Sequence, residues 1–373
     1  MKKKILIVDG MFPNKFTIWR NVLIKDLIQK YDTDIVVYKC GHFAGIDYEF
    51  DYDFINKECS LENYNILISD TNHKFAQKYN KNFNGLDFLG KYNFNYAFIK
   101  EKKFEIKSYD LIFYIFLNAY NLFAKEFDVS QKKNLIYLLP GGGFNFEDQN
   151  VVLDDKCFFL SSSPQTTGRL LANKKKINFL KVHGGIKFNK EANLDVKLEK
   201  NNRFSVNFSS MGFKKEKGFA DYIKIAFLYK ILFPFHSVDF KSIGNSKFKF
   251  LINHYPACDY KKLIEYYKNE VSVQLDLQTF KVFNGWPQGT DSIIGGCVLI
   301  SRDKFNVRKS LKYGESILLY QNLLDIVFLI RKLYKNKEYY QKIQKQQRLY
   351  LLENFGYHAQ QELIFNYIDR IVN

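Results

Sequence analysis

The sequence predicts an α/β protein with two domains, each built on a parallel sheet flanked by helices. Its 373 residues exceed what one ordinary hydrophobic core holds. Short apolar segments alternate with segments of helical spacing in two successive series, which is typical of β-α-β units. A polar, charged stretch separates the two series. We therefore predict a first domain over residues 1–185, a linker over 186–202 and a second domain over 203–355.

The first series opens with a β-α-β unit. Residues 4–8 form an apolar strand, residues 18–29 have helical spacing, and residues 34–38 form the next strand. Further strands are predicted at 65–69, 110–115, 134–139, 157–160 and 178–182. No GxGxxG follows the first strand, so the sequence does not support a dinucleotide-binding enzyme.

Polar residues and glycines follow three of these strands. Asp9 comes after the first strand, Gly141, Gly142 and Gly143 come after the fifth, and His183 comes after the last. The carboxyl ends of parallel strands share one edge, where ligands bind. Consecutive glycines let the backbone approach a ligand closely, and they suit a tight turn equally well.

The second series repeats the alternation of strands and helices. Strands are predicted at 204–208, 237–240, 271–275 and 297–301, and helices at 220–229, 261–268, 290–294, 318–334 and 335–352. Lys214, Lys217 and Gly218 stand just before the first of these helices. Free N–H groups and the positive end of the dipole make a helix start suitable for an anion. A basic, solvated helix start is the alternative.

A loop, a helix start and a buried strand follow one another in residues 280–303. The loop contains Asn284, Gly285, Trp286 and Pro287 in order. Thr290 and Asp291 stand near the start of the predicted helix, and two glycines end it before the apolar strand. This order places a second helix start at the carboxyl edge of the second sheet.

The same stretch resembles the nucleotide-sugar site of the GT-B glycosyltransferases, and of their family 4 in particular. Residues 285–287 stand where that family has Gly-Phe-Pro, and residues 296–300 stand where it has Gly-x-Pro-Val-Ile. Asp291 takes the place of the Glu that holds the ribose in the family. Asn284 replaces the other family Glu.

The resemblance extends to the phosphate site and to the end of the first domain. Lys217 and Gly218 match the Lys-Gly of the family, whereas Gly212 stands where the family has an Arg that clamps the diphosphate. Lys214 or Lys215 can supply the missing charge, though as a point charge. His183 begins a His-Gly-Gly-Ile sequence that is similar to the family's Asn-Gly-Val.

The resemblance implies two Rossmann-like domains with a cleft between them and a C-terminal helix, residues 356–373, that packs back on the first domain. It implies a retaining, metal-independent hexosyltransferase that uses a UDP- or GDP-sugar as substrate and has no cofactor. His183 and Asp291 are the implied catalytic residues. Asp9 and residues 141–143 are the implied acceptor-side residues, and the acceptor is a glycan or a lipid-linked molecule.

Charge and cysteine content suggest the surroundings of the protein. The net charge is +17, which favours anionic partners. A surface on which lysine simply replaces other polar residues is the alternative and fits the charge equally well. The five cysteines form no CxxC pair, which fits the reduced cytoplasm, and the six histidines have no spacing typical of a metal site. The longest apolar run is too short to span a bilayer. We therefore expect the protein to associate peripherally with anionic membranes.

Two other functions fit the same residues. A phage-type DNA glucosyltransferase has a similar architecture, and the basic charge allows the nucleic-acid contact that it needs. A non-catalytic basic binding protein of the same fold is the other alternative, because two charged residues of the family pattern are replaced here by Asn284 and Gly212.

Overall fold

Two separate parallel sheets form the framework of the protein. A computed structural model describes residues 2–9, 18–37, 65–68, 96–99, 104–115, 117–129, 134–139, 157–161, 178–181, 203–210, 218–244, 251–258, 260–277, 287–302, 318–355 and 357–373. Within these ranges the first sheet has eight strands and the second has six, and every strand pair is parallel. The predicted α/β fold with two Rossmann-like sheets is confirmed.

The strands and helices alternate along the chain. The strands are β1 (Lys4–Asp9), β2 (Asp32–Val37), β3 (Asn65–Ile68), β4 (Tyr96–Phe98), β5 (Leu111–Ile115), β6 (Leu135–Leu139), β7 (Cys157–Ser161), β8 (Asn178–Lys181), β9 (Ser205–Ser210), β10 (Asp239–Gly244), β11 (Asn253–Tyr255), β12 (Val273–Asp276), β13 (Val298–Arg302) and β14 (Leu318–Tyr320). The helices are α1 (Ile18–Lys30), α2 (Leu117–Glu126), α3 (Phe219–Leu232), α4 (Tyr260–Glu270), α5 (Pro287–Ile294), α6 (Leu323–Lys335), α7 (Lys337–Phe355) and α8 (Tyr357–Val372).

The first sheet has the strand order β4-β3-β2-β1-β5-β6-β7-β8. Its central strands are apolar because both faces are covered: Ile5 to Val8 and Leu111 to Ile115 are fully buried. The chain moves outward from β1 in both directions, so β1 and β5 flank the point where the strand order reverses. Ligands of open α/β sheets bind at such a point, outside the carboxyl ends of the strands.

Aromatic side chains hold one face of the first sheet together. Tyr114, Tyr137 and Phe159 lie opposite one another on β5, β6 and β7, and each neighbouring pair of rings stacks at 5.3 Å. Tyr120 and Phe123 of α2 meet the Tyr114 ring edge to face. Such cross-strand aromatic pairs contribute about 0.5–1.5 kcal/mol each beyond the area that they bury.

Helix α8 belongs to the same compact unit as the first sheet. Asp369 accepts hydrogen bonds from the Lys30 ammonium at 2.6 Å and the Tyr31 hydroxyl at 2.7 Å. The Tyr367 ring meets Phe158 of β7 edge to face. The chain therefore returns to this unit after the second sheet is complete.

The second sheet has the strand order β11-β10-β9-β12-β13-β14 and is wound on both faces. Alternate residues of β9 point to opposite sides, so Val206 and Phe208 pack with α3 and α6, whereas Asn207 and Ser209 bond to the tyrosines of α4. Helix α5 lies beside α4. The strand order reverses between β9 and β12, which places the expected ligand edge of this sheet there.

Helix α7 contacts the second sheet through a side chain that hydrogen-bonds to the backbone of β13, as a neighbouring strand would. The Gln347 amide accepts from the Leu299 N–H at 2.8 Å and donates to the Leu299 carbonyl at 2.9 Å. β14 pairs with β13 only from Ile300 onward, so Leu299 has no strand partner on that side in the described ladder. Gln347 therefore satisfies backbone groups that burial would otherwise make costly.

Several predicted elements have different bounds in the structure. The segment 318–334, predicted as one helix, is strand β14 followed by α6, because Asn322 forms a capping box with Asp325 and starts the helix there. α5 begins at Pro287 rather than Thr290. Strands β4 and β11, three residues each, were not predicted. The expected boundary at 186–202 lies outside the described residues.

The contact of α8 with α1 predicts a pH-dependent stability. Desolvation raises the pKa of Asp369, but hydrogen bonds from Lys30 and Tyr31 and the Lys30 charge outweigh it and lower that pKa below its ordinary value. A carboxylate with a lowered folded-state pKa stabilises the fold above its unfolded pKa of about 3.9 and loses this effect as the pH falls through the folded value. We expect Asp369→Asn to lower the melting temperature at pH 7.

That decrease should shrink below about pH 4, where the wild-type carboxylate becomes protonated too. Differential scanning calorimetry at pH 7 and at the lowest pH that keeps the protein folded gives the comparison. Asp32→Asn, at the exposed first residue of β2, is the matched control. A decrease for Asp369→Asn that is the same at both pH values would contradict the assignment.

Candidate functional site at the edge of the second sheet

Two helix starts lie at the carboxyl edge of the second sheet, next to the reversal of strand order. Helix α3 follows β9, and α5 lies between β12 and β13. Because β9 and β12 are neighbours and parallel, both helices begin over adjacent strand ends. The sequence prediction that the two helix starts share one edge is consistent with this topology.

Gly218 fixes the start of α3. It is the N-cap residue, is buried, and has a φ of +84°, a left-handed conformation that favours glycine. A Cβ atom at this position would lie 2.3 Å from the carbonyl oxygen of Leu277, the residue that follows β12. The first turn of α3 therefore lies directly against the carboxyl end of β12.

A guanidinium group lies beside this helix start. Arg302, the last residue of β13, donates from Nη2 to the carboxylate of Asp221 in the first turn of α3, at 3.3 Å. Its guanidinium also lies over the Tyr320 ring, 5.5 Å from the centroid. Among the described residues, its Nε has no hydrogen-bond partner. Arg302 is three-quarters buried, so solvent screens its charge only in part.

The neighbouring strand ends carry further polar groups. The Ser301 hydroxyl donates to the carboxylate of Asp276 at 3.2 Å. Asp276 ends β12 and lies opposite Ser301, the residue before the last in β13. The Tyr320 hydroxyl lies 3.4 Å from the Asp276 carbonyl. The carboxyl ends of β12, β13 and β14 therefore carry one carboxylate, two hydroxyls and a guanidinium, and the guanidinium meets the Asp221 carboxylate at the start of α3.

Asp291, the predicted ribose ligand, lies in the second turn of α5 because that helix begins three residues earlier than predicted. Its charge influences Tyr267 of α4: burial raises the pKa of the Tyr267 hydroxyl, a hydrogen bond with Ser209 lowers it, and the Asp291 charge raises it further. Ser209 lies at the end of β9, with its Oγ 2.8 Å from the Tyr267 hydroxyl. Asp291 therefore lies near Tyr267, whose hydroxyl contacts Ser209 toward the end of β9.

A buried polar network supports this face of the sheet. The Asn207 amide donates to Gln274 at 2.7 Å and to Ser209 at 2.9 Å, and its oxygen accepts from the Tyr266 hydroxyl at 2.9 Å. All five members of the network, including Tyr267, are buried. Satisfied buried networks hold their members in one arrangement. This network links β9, β12 and α4 beneath the strand ends.

Of the predicted acceptor-side residues, Asp9 is the one that lies among the described residues. It ends β1, where it lies between Val37 of β2 and Ile115 of β5, and its side chain is fully buried. This is the reversal point of the first sheet, the position at which an α/β sheet binds ligands.

The other predicted site residues divide into two groups. Pro287 and Thr290 lie in the first turn of α5, and Gly218 and Asp291 lie as described above. The remaining candidates, Gly141, Gly142, Gly143, His183, Gly212, Lys214, Lys217, Asn284, Gly285 and Trp286, lie outside the described residues.

Sequence reasoning missed Arg302, Asp221, Asp276 and Ser301. Arg302 and Ser301 end a strand that was interpreted only for its apolar residues, although a charged residue directly after a buried strand is a signal for the ligand edge. Asp276 gives the same signal at the end of β12, the neighbouring strand in the sheet. Asp221 gave no sequence signal, since an acidic residue in the first turn is common in any helix.

Comparisons with known proteins detect this chain only through its structure. No protein-family model matches the sequence, and no curated protein sequence matches it. The structure is similar to HepE of Anabaena in complex with UDP-glucose, with a TM-score of 0.65 and 11% identity over 99% of this chain and 100% of that one. All of HepE is therefore represented here at the level of fold.

Two further solved structures match over comparable lengths. Sucrose-phosphate synthase from Thermosynechococcus elongatus has a TM-score of 0.59 and 10% identity over 99% of each chain. A TarM variant from S. aureus, in complex with fondaparinux, alpha-GlcNAc-glycerol and UDP, has a TM-score of 0.62 and 12% identity over the full length of both chains. The chain has the GT-B fold. The resemblance seen in residues 285–300 of the sequence thus agrees with the fold.

The close approach at Gly218 generates a prediction. Gly218→Ala introduces both a left-handed backbone penalty and a clash with the Leu277 carbonyl, which together should destabilise the second unit by about 2–4 kcal/mol. Gly218→Asn should destabilise it as well, because asparagine tolerates the backbone conformation but still carries a Cβ. Urea unfolding measures both. Full stability of Gly218→Asn would show that the backbone conformation, and not the contact, constrains this position.

Proposed function

We propose that the protein is a glycosyltransferase that moves a sugar from a nucleotide-sugar donor to an acceptor hydroxyl. The observation that carries the proposal is the pair of helix starts over β9 and β12, with Arg302 beside the first. The GT-B fold supports it, because the similar structures of HepE and TarM are complexes that contain UDP-glucose or UDP. A uridine nucleotide is therefore the donor base that we propose first.

The donor diphosphate would lie at the start of α3. Negative charge builds on the diphosphate as the sugar–phosphate bond breaks, and fixed cations and helix N–H groups stabilise that charge. The free N–H groups of the first turn of α3 and the Arg302 guanidinium are the described groups suited to this task. Lys217 and Lys214, which precede the helix in the sequence, would add ammonium groups.

Arg302 takes the role that the family pattern gives to an arginine at the position of Gly212. The guanidinium then comes from the end of β13 and not from the loop after β9. Because it already contacts the first turn of α3, it needs no large movement to meet a phosphate at that helix start. The loss of the family arginine from the sequence is therefore compatible with catalysis.

The nucleoside would extend toward α5, where Asp291 can accept hydrogen bonds from the ribose hydroxyls. The acceptor would bind to the first domain, with Asp9, His183 and the glycines at 141–143 as the candidates that orient it. We propose a cytoplasmic, metal-independent and retaining reaction, as in family 4, with a glycan or a lipid-linked molecule as acceptor. These parts rest on the resemblance of the sequence.

The donor site is tested by separating phosphate binding from ribose binding. Lys217→Ala should weaken UDP by roughly 30-fold or more, because losing a charged partner costs on the order of 2–4 kcal/mol. Asp291→Ala should weaken UDP but leave pyrophosphate binding nearly unchanged, since pyrophosphate has no ribose. Isothermal titration calorimetry of both variants with both ligands gives the comparison.

Lys337→Ala, at the exposed start of α7, is the control for the loss of one lysine. The donor site is misassigned if Asp291→Ala lowers the affinity for pyrophosphate as strongly as the affinity for UDP. It is also misassigned if Lys217→Ala lowers the affinity for neither ligand. If both variants behave as expected but no sugar is transferred to any acceptor, the protein is a binding protein with the same site.

A further inference from the structure

Helices α3 and α6 carry an exposed apolar face that the donor site does not use. Both helices pack into the same core through buried residues such as Tyr222 and Ile330, so their opposite sides share one outer surface of the second unit. About half of each of four large apolar side chains is exposed on that surface: Phe227, Ile231, Leu324 and Phe328. Single exposed apolar residues are ordinary, but a contiguous group marks a contact surface.

The turn after α3 extends this surface. Phe235 is 98% exposed, and Leu232 beside it is nearly half exposed. Phe233 connects the turn to α6, since its ring meets Phe328 edge to face at 6.1 Å. We define the apolar face as Phe227, Ile231, Leu232, Phe235, Leu324 and Phe328.

Cations surround the apolar face. Lys230 on α3 and Arg331 and Lys335 on α6 are exposed, and the Arg331 guanidinium lies over the Phe233 ring, 5.0 Å from its centroid. The two carboxylates of these helices are occupied elsewhere. Asp221 pairs with Arg302, and Asp325 accepts backbone N–H groups in the capping box of α6.

We propose that this face binds the surface of an anionic lipid bilayer. The aromatic and aliphatic side chains would enter the interface between headgroups and acyl chains, while Lys230, Arg331 and Lys335 meet the lipid phosphates. A fully exposed phenylalanine at a turn can enter this interface without rearrangement of the fold. In the described part of the chain, no helix is long and apolar enough to cross a bilayer.

Charge complementarity selects the bilayer over a second copy of the chain. Two copies that met through this face would bring their cations together, and the net charge of +17 would add to that repulsion. An anionic lipid surface instead offers one negative headgroup after another to the basic residues around the apolar face. The inference does not depend on the proposed catalytic reaction, because no donor-site residue belongs to this face.

Vesicle sedimentation tests the proposal on the full-length protein. The wild type should sediment with vesicles of phosphatidylcholine and phosphatidylglycerol at low salt and remain in solution with phosphatidylcholine alone. Phe235→Ser should weaken binding about tenfold or more, because the ring that inserts into the bilayer is lost. The fold should stay intact, because Phe235 is 98% exposed. Leu363→Ser, at an exposed leucine of α8, should leave binding unchanged.

A charge variant and an added fluorophore complete the experiment. Arg331→Gln with Lys335→Gln should weaken binding roughly 30-fold, on the basis of about 1 kcal/mol per cation near a lipid surface, whereas Lys342→Gln with Lys345→Gln on α7 should weaken it less. Phe235→Trp adds a tryptophan whose fluorescence brominated lipids should quench on binding.

The proposal is overturned by any of three results. One is equal sedimentation with neutral and anionic vesicles, or with neither. Another is that the Phe235→Ser variant binds anionic vesicles as tightly as the wild type does. The third is a wild-type dimer that Phe235→Ser converts to a monomer in the absence of lipid, which would make the face an interface between copies of the chain.

Discussion

The contact between the backbone at Gly218 and the carbonyl of Leu277 is the constraint on which the candidate site depends. It lets α3 begin over the carboxyl end of β12, next to the strand that it follows. A side chain at this position would push the helix start away from the strand ends. The first-turn N–H groups and Asp221 would then move away from Arg302, Asp276 and Ser301. One missing Cβ thus keeps the helix dipole and the guanidinium at one edge.

Tyrosine hydroxyls form many of the buried hydrogen bonds in the described part of this protein. The sequence has 26 tyrosines. Among the described residues, the eight largest fully buried side chains are all tyrosine or phenylalanine. The Tyr222 hydroxyl lies 2.7 Å from the Val206 carbonyl and 2.6 Å from that of Lys241, while Tyr266 and Tyr267 join the network beneath β9. Each ring fills core volume and places its hydroxyl on a polar group. The high tyrosine content of the sequence therefore has a structural use.

The sequence predicted most strands, because buried parallel strands are short apolar runs bounded by polar residues. It predicted Gly218 as part of a helix start but not its contact with Leu277, which depends on the neighbouring strand. It joined β14 to α6, because a three-residue strand before a capped helix differs little from one more helical turn. Arg302 was missed because its strand was interpreted only for apolar residues, and its contacts with Asp221 and Tyr320 are visible only in the folded chain.

The central claim is that Arg302 and the start of α3 form an anion site for the donor diphosphate. Calorimetric titration of UDP against Arg302→Gln and Asp221→Asn tests it most directly, with Arg370→Gln on α8 as control. Losing the guanidinium should weaken UDP by about 2 kcal/mol, roughly 30-fold. Removing the carboxylate that competes with the phosphates for Arg302 should strengthen UDP binding by about 1 kcal/mol, roughly fivefold. If Arg302 only holds α3 in place, both variants weaken UDP or neither changes it, and that result would contradict the account.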